Sequence, residues 1–132
     1  MLNIFQTKKS NQQKFVTEEH FHSNLNKQKE SNHQTLEQLK KYNISENQEK
    51  KLEYFFYTNS IYKAQAFAKE LEKYKYDVKY QASAGNSNEF IITGWTTKMT
   101  MSEEVVLKWA EQMCELGYKY DCDFDGWGTN TD

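Results

Sequence analysis

The chain has 132 residues, enough for one domain of ordinary size, and its aromatic content of 15% is sufficient for a core. The net charge is −2 and every basic residue is lysine, which argues against direct nucleic-acid binding, because that function needs a basic surface and favours arginine. No apolar stretch is long enough to cross a membrane and no secretory signal begins the sequence, so we expect a cytoplasmic protein without membrane contact.

The first fifty residues are polar, and we expect residues 1–50 to be an extension of a domain that spans 51–132. The mean hydropathy of −0.99 indicates that part of the chain lies outside the core. Sparse apolar residues of the extension recur at helical spacing; they are Phe21, Leu25, Leu36 and Leu39. They predict a solvated helix from about 17 to 42, with Thr17 as its N-cap, after fifteen disordered residues.

A strand, a helix and a hairpin are predicted next along the chain. The aromatic segment KLEYFFYT, 51–58, is typical of a buried strand. An Ala-rich segment with apolar residues on one face predicts a helix over 60–74. Alternating residues over 77–83 and the apolar run 89–97 predict two strands, and AGNSN at 84–88 predicts the turn that joins them.

The last predicted elements are one helix and one strand. Thr100 followed by Glu103 matches a capping box, which predicts a helix from about 101 to 116. Gly117 is expected to end that helix, because glycine is the usual residue after a helix C-terminus. The alternation in YKYDCDF, 118–124, predicts a final strand with its aspartates on the exposed face.

The element order is therefore β-α-β-β-α-β, which predicts an α+β fold of the ferredoxin-like type. Such a fold is an antiparallel sheet with both helices on one face. Its first and third strands lie in the centre of the sheet, and the two most apolar predicted strands, 51–58 and 89–97, are those two.

The C-terminal sequence YDCDFDGWGTNTD also resembles a calcium-binding EF-hand loop. Asp121, Asp123, Asp125, Gly126 and Asp132 match loop positions 1, 3, 5, 6 and 12. The twelfth ligand should be a glutamate on an outgoing helix, and the segment entering the loop alternates like a strand. A strand without metal or cofactor is therefore the favoured interpretation, and a small calcium-binding module is the alternative.

An enzyme is not expected from the side chains that could carry chemistry. No Ser-His-Asp or Cys-His order stands out, and no glycine loop for phosphate is present. Cys114 and Cys122 have neither zinc-site spacing nor a disulfide framework, and they are expected to be buried thiols.

The segment DGWGT, 125–129, has two interpretations. It can be a C-terminal turn in which the Trp127 ring packs back on the sheet and its N–H finds a partner. It can also contact another protein, because Trp127 with Asp123 and Asp125 suits a basic segment. Both interpretations can hold together.

The sequence resembles the RraB-like family, the regulators named for inhibiting ribonuclease E. The resemblance covers roughly 35–130 and is carried by the lead-in TLEQLKKYNIS, by EYFFYTNSIYKAQAFAKEL and by the ending Asp-Gly-Trp-Gly-Thr. It implies a ferredoxin-like α+β fold, no catalysis, and regulation through a protein partner such as an RNA-processing enzyme. The residues expected to bind that partner are Asp123, Asp125, Gly126, Trp127, Gly128 and Thr129. The remaining alternative is an accessory domain that shares the fold.

Overall fold

The computed structural model describes residues 13–132, apart from the side chain of Ser87. The helices are α1 (Glu18–Lys40), α2 (Ile61–Glu72) and α3 (Glu103–Lys119). The strands are β1 (Glu49–Lys50), β2 (Glu53–Thr58), β3 (Lys79–Ser83), β4 (Asn86–Trp95), β5 (Met99–Thr100) and β6 (Asp123–Gly128). The predicted mixed α+β class is confirmed. None of the helices in this part of the chain combines the length and apolar character that a membrane crossing needs.

The strands form two antiparallel sheets. The larger sheet has the order β3-β4-β2-β6, so β2 and β4 lie in its centre and β3 and β6 lie at its edges. The smaller sheet pairs the two-residue strands β1 and β5. The ferredoxin-like prediction has one four-stranded sheet with its first and third strands in the centre, and the sheet of β1 and β5 is additional to it. Two-residue strands are too short to show a period-2 pattern, so sequence periodicity could not reveal the second sheet.

The core is centred on strand β2. Tyr54, Phe56 and Thr58 are fully buried, whereas the residues between them are half-buried, because successive side chains of a strand point to opposite faces. The Phe56 ring lies 4.6 Å from that of Phe67 on α2 and 5.0 Å from that of Phe124 on β6. This one side chain thus joins the second helix to the last strand.

Helix α1 begins where the sequence predicts, but it is not solvated on all sides. The Thr17 hydroxyl accepts the N–H of His20 at 3.1 Å, as expected of an N-cap. The helix packs against α3 and β6, and Leu36 and Leu39 are buried there. Of the fifteen residues predicted to be disordered, 1–12 lie outside the described residues, and Phe15 is held by a hydrogen bond to Asp121.

Helix α3 differs from the prediction at both ends. Its N-cap is Ser102, whose hydroxyl accepts the N–H of Val105, whereas Thr100 lies in β5. The helix continues through Gly117 to Lys119. A Cβ at Gly117 would lie 2.5 Å from the carbonyl oxygen of Cys122, so this glycine allows a close approach inside the helix and does not end it.

The final strand starts later than predicted. Tyr120 is the C-cap of α3, and Asp121 has a left-handed backbone conformation with φ of 60°. Pairing with β2 begins only at Asp123 and continues through Gly128. The alternation of aromatic and charged residues over 118–121 therefore belongs to a helix end and a turn. Of the segment 125–129, for which the sequence offered a turn as one interpretation, residues 125–128 are part of the sheet.

Candidate protein-binding site

Strand β6 lies at the edge of the larger sheet and contains a bulge at Asp125. Phe56 pairs with Phe124 and Phe55 pairs with Gly126, so Asp125 has no partner residue in β2. A bulge bends its strand and changes the direction of the side chain it carries. The Asp125 side chain is exposed, and its carboxylate is therefore available to another molecule.

The two glycines of β6 differ in what they contribute. Gly126 has φ of +136°, a backbone conformation that residues with a side chain rarely adopt, so the bulge requires glycine at this position. Gly128 has no such requirement. A Cβ added at either glycine would contact nothing within 4 Å, so the surface above both residues is open.

Trp127 connects strand β6 to helix α1. Its indole N–H donates a hydrogen bond of 2.7 Å to the side-chain oxygen of Asn32, and its ring packs against the core. The interpretation in which the Trp127 ring packs back on the sheet and its N–H finds a partner thus agrees with the observed contacts. The ring is half-buried and keeps some surface toward solvent.

A cleft of about 310 Å³ lies between α1 and β6. Lys27, Ser31 and Thr35 contribute to its helical side. Asp125, Gly126 and Trp127 contribute to its strand side, and the Phe55 ring also lines it. Three of the six residues expected from the sequence to bind a partner therefore line the same concave surface.

Asp123 faces helix α1. Its carboxylate lies 3.0 Å from Nε2 of His20 and 3.5 Å from the side-chain nitrogen of Asn24. Burial raises the pKa of Asp123 above its ordinary value, against the opposing effect of the nearby His20 and Lys27. Asp123 is thus engaged within the molecule, in contrast to the exposed Asp125.

Thr129 and Asp121 make contacts at the two ends of β6. The Thr129 hydroxyl donates to the carbonyl oxygen of Lys51 at 2.7 Å. The Asp121 carboxylate accepts the Nζ of Lys63 at 2.6 Å and the N–H groups of Phe15 and Val16. These contacts attach the strand ends to the rest of the domain.

The three aspartates of the calcium-like sequence do not form one loop. Asp121 lies in a turn, Asp123 faces helix α1 and Asp125 is exposed on the bulge. Within residues 13–132, no three His, Cys, Asp or Glu side chains are close enough together to hold a metal ion. The similarity to an EF-hand is limited to the amino-acid sequence, because the backbone there is a turn followed by a paired strand.

Sequence reasoning missed a row of buried amides on helix α1, which we call the amide row: Asn24, Gln28 and Asn32. They are 7%, 3% and 1% exposed. The Asn24 side chain donates to the carbonyl oxygen of Phe124 at 2.8 Å, and the Gln28 side chain donates to Asn24 at 3.1 Å. Their spacing of four residues, which continues to Leu36, was the available signal.

Comparison with known proteins adds the family. The sequence model of the family described as regulator of ribonuclease activity B, RraB, matches residues 29–129. A comparison with individual curated proteins gives no match. The matched segment contains, at least in part, the three helices that the structure describes, together with its six described strands and the cleft residues of β6. The chain belongs to the family of regulators of ribonuclease activity B.

Proposed function

We propose that this protein is a non-catalytic regulator that binds a ribonuclease of its host through the cleft between α1 and β6. Membership of the ribonuclease-regulator family is the observation that carries the function. In this proposal residues 51–132 form a ferredoxin-like binding domain, and the extension 1–50 supplies helix α1 as one side of the site.

The residues proposed to contact the ribonuclease are those of the last strand. Asp125 offers an exposed carboxylate, and Trp127 offers an aromatic surface beside it. Gly126 and Gly128 leave the strand open to close approach. Asp123 and Thr129 hold the strand in position through their internal contacts. An acidic and aromatic surface of this kind suits a lysine- or arginine-rich segment of an RNA-processing enzyme.

Capture of the ribonuclease tests the proposal. Tagged full-length protein is incubated with an extract of the source organism, and the retained ribonuclease is quantified. We expect Asp125→Lys to lower the retained amount by about tenfold, because it reverses the charge that faces the basic segment. Glu72→Lys is the matched control, since it reverses an exposed charge at the end of α2.

Inhibition and RNA binding are measured with purified components. The parent protein should slow RNA cleavage by the ribonuclease, and it should not bind the same labelled RNA in the absence of enzyme. Failure to retain any ribonuclease, or equal retention by Asp125→Lys, contradicts the proposal. Direct binding of the RNA would show that the protein acts on the substrate rather than on the enzyme.

A further inference from the structure

Asn32 on α1 also lines the cleft between α1 and β6. The side-chain nitrogen of Asn32 is buried and has no partner among the described residues. Its orientation is fixed, because the indole N–H of Trp127 is a donor only and must face the Asn32 oxygen. The nitrogen therefore cannot be exchanged with the oxygen by turning the amide.

An unsatisfied buried donor is costly and is uncommon in native proteins. A single water could satisfy it, but the cleft of about 310 Å³ has room for many waters or for a larger group. The space is at the lower end of the range found for ligand sites. The cleft can therefore hold a larger group that brings an acceptor to Asn32.

The other surfaces of the cleft limit what that group can be. The rings of Phe55 and Trp127 offer apolar area. The Asp125 carboxylate favours a cation on the strand side, opposite Lys27 on the helical side, and the missing side chain of Gly126 leaves room beside the bulge. An acceptor, an apolar group and a cation close together describe a short peptide that has a lysine or arginine next to an apolar residue.

We propose that this cleft binds an extended peptide segment in which a backbone carbonyl accepts a hydrogen bond from Asn32 and a neighbouring lysine or arginine pairs with Asp125. The inference rests on the proposed function in taking the ligand to be part of a protein. It goes further by naming the chemistry of that segment and by giving Asn32, on the helical side of the cleft, a direct role in recognition.

Selection from a phage library of random peptides tests this inference without knowledge of the partner. The purified full chain is the target, and a selected peptide is then synthesised and titrated by NMR and calorimetry. We expect selected sequences to place a basic residue next to an apolar one. The side-chain amide signal of Asn32 and the indole signal of Trp127 should shift on binding, whereas the indole signals of Trp95 and Trp109 should not.

Two variants, each with a matched control, locate the site. Asn32→Asp keeps an acceptor for Trp127 but removes the donor, and it should weaken peptide binding by about tenfold or more. Asn26→Asp makes the same change on the exposed side of α1. Thr35→Trp should block the cleft without changing Asn32, and Gln34→Trp is its exposed control. Circular dichroism and urea unfolding confirm that each variant is folded.

The outcomes separate this inference from the proposed function. If no basic peptide is selected, or if Asn32→Asp and Thr35→Trp bind it as the parent does, the peptide site is wrong. If the ribonuclease is retained and responds to Asp125→Lys but not to these two variants, the peptide site alone is wrong. If a peptide binds in the cleft and no ribonuclease is retained, the ribonuclease assignment alone is wrong.

Discussion

The carboxylate of Asp121 accepts the backbone N–H of Phe15 at 2.7 Å and thereby fastens the segment before helix α1 to the turn before the last strand. The same carboxylate accepts the N–H of Val16 at 2.8 Å and the Nζ of Lys63 at 2.6 Å. Both side chains of the ion pair are largely buried, at 19% exposed for Lys63 and 15% for Asp121. One carboxylate thus satisfies two backbone donors and a cation.

We expect Asp121→Asn to destabilise the protein by about 1–3 kcal/mol, because the new NH₂ group would face donors. Asparagine tolerates the left-handed backbone at this position, so the change isolates the carboxylate. Urea unfolding measures the loss, and amide exchange of Phe15 and Val16 should become faster. Asp77→Asn, at an exposed side chain, is the control. Unchanged exchange at Phe15 would contradict the assignment.

Asn24→Ala is expected to destabilise the protein by about 1–3 kcal/mol, because it leaves the carbonyl oxygen of Phe124 without the hydrogen bond that Asn24 donates. Asn26→Ala, on the exposed side of the same helix, should change stability by less than about 0.5 kcal/mol. Urea unfolding compares the two. Equal effects would mean that the buried amide contributes only through helix propensity.

Gly117→Ala tests whether helix propensity or packing against Cys122 and Phe56 has the larger effect on stability at this position. Alanine is favoured over glycine by about 1 kcal/mol in a helix interior. The added Cβ would lie 2.5 Å from the carbonyl oxygen of Cys122 and 2.9 Å from the Phe56 ring, and such overpacking costs about 1–3 kcal/mol. We expect net destabilisation. Ser23→Ala on the exposed side of α1 should slightly stabilise, so a gain at both positions would contradict the packing argument.

Asp123→Asn is expected to change how stability depends on pH. Burial raises the pKa of Asp123 in the folded protein. The stability that its protonated form contributes is therefore fully present below a pKa of about 3.9, which is usual for an unfolded aspartate. That stability is lost as pH rises through the pKa of the folded state. The stability of the variant relative to the parent should therefore increase from acid toward neutral pH. Urea unfolding across that range measures it, and a relative decrease would contradict the assignment.

The thiols of Cys114 and Cys122 should be unreactive in the folded protein. Burial raises the pKa of each to about 12, and the two residues are 3% and 1% exposed. A thiol reagent at about pH 8 meets almost no thiolate there. We expect both to react only after unfolding in guanidinium chloride, whereas the thiol of a Ser23→Cys variant should react at once. Fast reaction of the parent would show that its interior opens readily.

Strong local patterns made much of the fold predictable. Helix α2 has a clear period of 3.6, β3 alternates with a period of 2 and β4 contains an apolar run, and all three are found near their expected positions. The hydrogen bond of the Thr17 cap was also predictable, because it depends on neighbours in sequence.

Features that depend on distant residues were not predictable in the same way. Gly117 is expected to end a helix by local preference, but contact with Phe56 and Cys122 determines its role. The start of β6 is likewise set by pairing with β2. For the candidate site, the sequence pointed to Asp125, Gly126 and Trp127 but not to Asn32. The local sign that Asn32 is buried is the four-residue spacing of the amide row, and amides are common on exposed helix faces.

The amide row has a consequence for how the protein is made. Helix α1 precedes α3 and β6 in the chain, and β6 contains the carbonyl group and the indole that satisfy Asn24 and Asn32. During synthesis from the N-terminus, these amides stay hydrated until residues 123–128 have left the ribosome. A helix with a polar face remains soluble until then, whereas an apolar helix would expose a surface that is prone to aggregation. Helix α1 therefore completes its packing only after the last strand has been synthesised.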